Sequence, residues 1–225
     1  MKISKYGIIL SRLRIEETGF VLQKLQSSDL DPVMAPKEDL SYEQQQDWFF
    51  NLNKPETCCF LVESNAIKIG ILTAKNINWE AATSELEFYY WDEAARKGLF
   101  PILAFLALLK TGFHYLSWNK FSAKANPADN NFISQLLKLG FELSGENDNR
   151  SANKYQLLAK RFETTYQKLI EEIKNQVECD TSEGYLLLEP VDYESGIAQL
   201  IENNFLESGV YLHRRGISGS RMYFR

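Results

Sequence analysis

One segment constrains this chain more than any other. From Ile102 to Leu109 every residue is apolar, and the stretch runs on to Leu116 with Lys110, Thr111, Gly112 and His114 as its breaks. A helix that is apolar around its whole circumference has no face to give to water, so it has to be enclosed. Pro101 stands where such a helix begins, because its missing N–H costs nothing in the first turn. The most apolar run, Leu99 to Leu109, is only about half of the ~20 residues that cross a bilayer. The helix is therefore predicted inside a folded layer and not in a membrane. The chain has the material to surround it, since 14 Phe, 11 Tyr and 4 Trp among 225 residues exclude disorder on a large scale.

The segments around this helix supply the layer. Tyr6 to Ile15 alternates and is rich in β-branched residues, so it is predicted as a strand. Glu17 to Leu25 is predicted as a short helix, and Ser27 to Asp39, with Pro32 and Pro36, as a loop. Ser41-Tyr42-Glu43-Gln44 has the spacing of a capping box and opens a second helix through Trp48 and Phe49. Strands are predicted at Cys58–Glu63, Ile67–Lys75 and Ser84–Trp91, the first two joined by a tight turn at Asn65-Ala66. After the apolar helix come a strand at Lys120–Ala125 and a helix from Asp129 to Leu139 that Gly140 terminates. Phe141–Leu143 and Lys154–Leu158 close a hairpin. Antiparallel runs followed by one crossover helix argue for an α/β (α+β) fold with a mixed, mostly antiparallel central sheet flanked by helices.

Formal net charge is −5, which gives no nucleic-acid footprint. The charge is uneven. Residues 1–160 carry 18 Lys+Arg and 19 Asp+Glu, and residues 161–225 carry 7 and 11. The excess acid in the tail places a boundary near residue 160 and divides the chain into a main domain, 1–160, and a small α/β extension, 161–225. In the extension a helix to about Val177, a strand at Tyr185–Leu188, a helix at Tyr193–Phe205 and strands at Val210–His213 and Arg221–Phe224 are predicted. The last strand has to pair with something: the main sheet, a unit of its own, or the partner in a homodimer. Three cysteines, Cys58, Cys59 and Cys179, make a poor disulfide framework, and the first residues hold no apolar leader core, so the expectation is a cytoplasmic protein with reduced thiols. Two histidines, His114 and His213, far apart and without a Cys-x-x-Cys pair, predict no metal site.

Two segments could carry chemistry. In Arg96-Lys97-Gly98-Leu99-Phe100-Pro101 a glycine between cations and a helix start could hold an anion on free N–H groups and the positive end of the helix dipole. The bland alternative is a basic turn before a buried helix. In Ser84–Trp91, alternation puts Glu85, Glu87, Tyr89 and Trp91 on one face and Leu86, Phe88 and Tyr90 on the other. Two carboxylates on a strand can accept protons, or can be a solvated face. The Arg214–Arg221 loop, with three arginines, reads more simply as a hairpin turn than as an anion site.

The order of elements over residues 6–160 resembles the Gcn5-related N-acetyltransferase superfamily. Three pieces carry the resemblance: Lys68-Ile69-Gly70-Ile71-Leu72, Glu87-Phe88-Tyr89-Tyr90-Trp91 followed by Arg96-Lys97-Gly98-Leu99, and Asp129 to Phe141 ending in Leu137-Lys138-Leu139-Gly140-Phe141. Ile8 to Arg14 and Leu40 to Phe49 are similar to the branch that acetylates nucleotide-linked amino sugars, alongside a sister branch acting on protein N-termini. The resemblance implies acetyl-CoA as co-substrate and acetyl transfer to a primary amine in one ternary complex. It implies that the strand holding Phe88, Tyr89, Tyr90 and Trp91 splays from its neighbour, pairs with the pantetheine arm and polarises the thioester carbonyl. Arg96, Lys97, Gly98 and Leu99 would hold the diphosphate. Glu87, or Glu85, would remove the proton from the amine. The place of an asparagine that often contacts the cofactor falls at Asp129, with Asn130 or Asn131 after a one-residue shift, or Asn126 nearer the strand end, as the asparagines that could serve.

The sequence departs from the family in two places. Its phosphate loop pattern is Gln/Arg-x-x-Gly-x-Gly/Ala, and here Ala95 and Phe100 stand at the ends. The tyrosine that often protonates the leaving thiolate falls at Leu136, with Tyr89, Ser134 or water as substitutes. A second reading follows: an acetyltransferase fold with an eroded loop, acting as a binding or assembly module through its tail.

Overall fold

The computed structural model describes residues 1–27, 40–91, 95–96, 98–145, 152–176, 184–205, 211–216 and 219–224. Most of the predicted Ser27–Asp39 loop, Cys179 and Lys97 lie outside them.

The chain begins with a β-hairpin. Strands β1 (Lys2–Lys5) and β2 (Ile8–Arg12) turn through Tyr6 and Gly7, whose φ values are +58° and +72°. Two left-handed residues are what a two-residue hairpin turn demands. The single strand predicted from Tyr6 to Ile15 is thus corrected. Tyr6 is not a strand residue; it is held in its costly conformation by burial and by a 2.6 Å hydroxyl contact with Tyr166. Helix α1 (Thr18–Gln26) and helix α2 (Tyr42–Leu52) follow. The Ser41 box forms as read: Ser41 Oγ accepts from the Gln44 N–H at 3.3 Å, and Gln44 Oε1 accepts from the Ser41 N–H at 2.8 Å.

A short β3 (Asn53–Lys54) leads into β4 (Thr57–Ser64), β5 (Ile67–Asn78) and β6 (Thr83–Tyr90), all antiparallel neighbours. The apolar segment becomes helix α3 (Phe100–Lys110), extended by a π turn over Thr111–Tyr115. Every residue from Pro101 to Leu109 is buried, as its all-round apolarity required. Strand β7 (Lys120–Ala125) pairs parallel with β6. Helix α4 (Asn130–Lys138) then ends at Gly140, whose φ of +93° makes it the left-handed residue past the helix end. Strands β8 (Glu142–Gly145) and β9 (Asn153–Leu158) complete the hairpin.

The predicted boundary at 160 falls inside helix α5 (Ala159–Gln176). Beyond it come β10 (Tyr185–Leu188), α6 (Pro190–Glu194), α7 (Ile197–Asn203), β11 (Tyr211–Arg215) and β12 (Arg221–Phe224). The helix predicted from Tyr193 to Phe205 is broken at Gly196, which takes φ +75°. Of the three destinations open to the last strand, the chain takes the first. β10 pairs antiparallel with β1, β12 with β10, and β11 with β12, so the path through the sheet runs β11-β12-β10-β1-β2-β4-β5-β6-β7-β9-β8.

The tail is anchored by charge as well as by backbone pairing. Arg12, 7% exposed, donates to Asp192 Oδ1 at 3.0 Å and to Ser195 Oγ at 2.8 Å, and Asp192 is fully buried. Leu186, Leu188, Ile197, Ala198 and Ile201 share the main core with Ile3, Leu10 and α3. On the opposite face of the sheet, α1 and α2 cover a smaller cluster of Val21, Leu25, Cys59, Leu61 and Ile71. The expected class, a mixed and mostly antiparallel sheet with helices on both sides, is what the chain forms.

Candidate active site

The site follows from how two parallel strands part. β6 and β7 are in register only from Thr83↔Lys120 to Leu86↔Ala123. Beyond that point β6 continues to Tyr90 paired with β5 alone, and β7 continues to Ala125 paired with β9 alone. A wedge opens between them, and backbone groups facing into it have lost their ladder. Unpaired backbone groups in a cleft are a standing invitation to a ligand that carries amides of its own.

A cleft of about 450 Å³ occupies this wedge. Phe88, Tyr89 and Tyr90 form its β6 wall, Asn126 and Ala128 follow β7, and Asp129, Asn131, Phe132 and Gln135 come from α4 and its cap. Arg96 closes one side. Of the predicted cofactor residues, Phe88, Tyr89, Tyr90, Arg96 and Asn126 are thus brought together. Trp91, Gly98, Leu99 and Asn130 are not among the lining. Trp91 turns to the α1 side, donating its Nε1–H to the Lys68 carbonyl at 2.9 Å and meeting Phe20 edge-on. Gly98 is exposed and bonds back to the Ala95 carbonyl at 3.3 Å, Leu99 caps α3, and Asn130 opens α4.

Phe100 does not obstruct the cleft. It packs against the main core and is not part of the cleft lining, and the tail strands lie across the sheet beside β1. The mouth instead carries a strap that sequence reasoning missed. Arg96 Nη2 donates to Asp129 Oδ2 at 2.8 Å. The Arg96 carbonyl accepts from Asn131 Nδ2 at 3.2 Å and from Gln135 Nε2 at 3.1 Å. Asp129 also caps α4, its Oδ1 accepting from the Phe132 N–H at 3.0 Å. The capping role was legible; the ion pair depends on a loop 33 residues away and was not.

Glu85 and Glu87 share a face, as alternation predicted, but stand outside the cleft lining. Lys75, across the strand pair, contacts both: Glu87 closely, and Glu85 at 3.3 Å. Glu85 is also 3.2 Å from Lys124 and is 8% exposed. Burial pushes the Glu85 carboxyl up, but Lys124 and Lys75 together outweigh it and the net shift is downward. Burial pulls the Lys75 ammonium down, and the two carboxylates outweigh that, so its net shift is upward. A carboxylate held ionised between two lysines is a weak base, which leaves Glu85 poorly suited to accept a proton. Each carboxylate has one buried oxygen without a hydrogen bond, but Glu85 Oε1 still faces both Lys75 and Lys124, whereas Glu87 meets Lys75 through Oε1 and its Oε2 has no ion-pair partner.

Leu136 is fully buried. A second cavity, of about 920 Å³, lies where β2, the end of α2 and α6 meet, and holds none of the predicted site residues. Among the described residues no cluster of His, Cys, Asp or Glu could hold a metal ion, and no helix is long and apolar enough to cross a membrane.

Comparisons with known proteins place the chain in a family and a fold. Residues 8–142, more than half of the chain, match the profile of the acetyltransferase (GNAT) domain family. The chain belongs to that family. It is a GNAT acetyltransferase, a family whose co-substrate is acetyl-CoA. A search of curated proteins finds no match. Among solved structures, mutant forms of the spermidine/spermine N-acetyltransferase SpeG from Vibrio cholerae match at 16% identity. That match has a TM-score of 0.59 and covers 71% of this chain and 98% of the other. Spermidine N-acetyltransferase from Vibrio cholerae in complex with CoA and spermine matches at 13% identity and TM-score 0.60, over 69% and 98% of the two chains. A candidate acetyltransferase from T. thermophilus matches at 15% and 0.60, over 76% and 96%. At these identities the likeness is one of fold.

Proposed function

We propose that this chain acetylates a primary amine directly from acetyl-CoA bound in the β6–β7 wedge. The observation that carries the reading is the parting of the two strands after Leu86 and Ala123, with an open cleft between them. The pantetheine arm lies along β6 at Phe88–Tyr90, and its amides take the backbone groups that β7 no longer reaches. Arg96 turns from Asp129 to the diphosphate, joined by the next cation in sequence, Lys97, and by the free N–H groups at the start of α3. Pro101 has no N–H, so that end of α3 offers one donor fewer than usual. Asn126 and Asn131 contact the cofactor from the α4 side.

Glu87 serves as general base through Oε2, directly or through one water, and backbone N–H groups at the end of β6 stabilise the tetrahedral oxyanion. The amine approaches on the face carrying Glu87, Tyr89 and Trp91, where a carboxylate and aromatic rings suit a cation. Nucleotide-linked amino sugars and peptide N-termini are the acceptor classes suggested by the Ile8–Arg14 and Leu40–Phe49 segments. Spermine, present in one structural neighbour, is the polyamine to set beside them.

The test is turnover of acetyl-CoA with a panel of an amino-sugar nucleotide, a free-N-terminal peptide and spermine, read as thiol release. The reading expects one class to turn over well above the others. In Glu87→Gln, kcat should drop by about 100-fold or more with the CoA Kd within about twofold. Unchanged kcat in that variant would remove Glu87 as base, and no turnover with any amine would remove the reading.

A further inference from the structure

One step past the last paired residues of β6 and β7, Leu86 and Ala123, come Glu87 and Lys124. Directly opposite Lys124 on β9 stands Lys154. Like charges in that position across an antiparallel pair are destabilising. Lys124 is 48% exposed and is tied to Glu85 at 3.2 Å. Lys154 is exposed and has no ion-pair partner among the described residues. Lys120, further back on the same face of β7, has none either. The acids nearby are already engaged. Glu85 and Glu87 share Lys75, Glu85 also holds Lys124, and Glu142, opposite Gln156, pairs with Arg161 at 2.5 Å. The cluster beneath α1 and α2 reaches Tyr89 and Trp91 but includes no residue of β7 or β9, so those helices leave this strip of the face uncovered.

The surplus of cations sits beside the approach given above to the amine. Glu87 and Lys154 are two strands apart, about 10 Å at the backbone. An amine held at Glu87 therefore lays the rest of a small molecule over Lys124 and Lys154. Opposed side chains start about 5 Å apart, so both ammonium groups can close on one phosphate. Two cations match the dianion of a phosphate monoester, whereas a carboxylate would leave one of them unpaired. A polyamine would meet repulsion from the same pair.

We propose that Lys124 and Lys154 form a phosphate subsite for the acceptor, so that the substrate is a small primary amine carrying a phosphate group. The inference rests on the acetyl-transfer reading above and narrows its acceptor. Glu87 takes the ammonium end and the two lysines take the anionic end, which fixes the direction in which the molecule lies. Arg96, which lines the cleft with the α4 residues, is left to the cofactor's diphosphate, so the two anions are held by separate cations.

Lys154→Gln is the test, because Lys154 is exposed and, unlike Lys124, holds no carboxylate in place. Glucosamine 6-phosphate and glucosamine are compared as acceptors. Inorganic phosphate is titrated into the CoA-loaded protein, in which Arg96 is already engaged. In wild type at low salt the phosphorylated sugar should have a KM about tenfold below that of glucosamine, and added NaCl should close the gap. In Lys154→Gln its KM should rise about tenfold with kcat, CoA Kd and Tm unchanged, glucosamine should be unaffected, and phosphate should bind more weakly. Lys154→Arg should restore the wild-type KM. Equal KM values for the two sugars in wild type, or equal losses with both in Lys154→Gln, would overturn the subsite. No turnover with any amine would overturn the acetyl-transfer reading instead. Lys154-dependent binding of phosphate would then still support the anion site, and binding indifferent to Lys154 would overturn that as well.

Discussion

The strap across the cleft mouth makes a prediction of unusual sign. Asp129 places a carboxylate beside the position the cofactor's diphosphate would take, and it occupies the arginine that would bind it. Asp129→Asn removes the charge and keeps the cap, since asparagine accepts from the Phe132 N–H as well as aspartate does. The two partners are 31% and 28% exposed, so solvent screens them and the pair is worth well under its Coulomb value. Freeing Arg96 and removing one like charge near the diphosphate should together gain about 1 kcal/mol, or about fivefold in affinity for CoA. The gain should be visible by calorimetry at low salt and shrink at high salt, because a Debye length falls from roughly 30 Å at 0.01 M to about 3 Å at 1 M. Asp129→Ala controls for the helix. It loses the cap at a cost of about 1 kcal/mol, which should lower Tm by about 2–4 °C in a chain of this size. If Asp129→Asn binds CoA no better than wild type at low salt, or worse, then the aspartate positions Arg96 for the cofactor and does not compete with it.

Three further outcomes follow from the packing. Glu85 and Glu189 both have carboxyls whose burial is outweighed by cationic partners, so their net shifts are downward. Each contributes stability above the ordinary carboxylate range and loses it as pH falls through the folded-state value. Urea unfolding at pH 7 and pH 4 should therefore give a smaller drop in Glu85→Gln/Glu189→Gln than in wild type, and parallel drops would contradict the assignment. Burial pushes the Cys58 thiol up to about 11 and Cys59 to about 12, so in a Cys179→Ser background neither should react with a disulfide reagent at pH 8 until the protein unfolds. A chain ending at Gln176 would expose the edge of β1 and strip Asp192 from buried Arg12, a loss of about 3–5 kcal/mol for an unpaired buried charge alone. It should be insoluble or melt far lower, and a soluble chain with native Tm would make residues 177–225 a separate unit.

Local signals were legible and long-range ones were not. Lys120–Ala125, Tyr185–Leu188 and Arg221–Phe224 are strands at the residues read from alternation, and Ser41 and Gly140 act as the caps their chemistry suggests. The hairpin at Tyr6-Gly7 was hidden because a tyrosine in a left-handed conformation is stabilised by Tyr166, 160 positions away. The junction of β10 with β1 is equally remote, since Ile3 and Leu186 carry no mark of one another. At the site, alternation separated the faces of β6 and the resemblance pointed to the splay. What sequence could not supply was the competition among charges: Lys75 between two carboxylates, and Arg96 bound to Asp129.

Amide hydrogen exchange with and without CoA tests the location of the cofactor without requiring the acceptor. If the thioester carrier lies along the parted end of β6, the amides of Phe88, Tyr89 and Tyr90 and those opening α3 should exchange more slowly in its presence. Protection confined to the other large cavity, around Arg12 and Ser195, or no protection at saturating CoA, would contradict it.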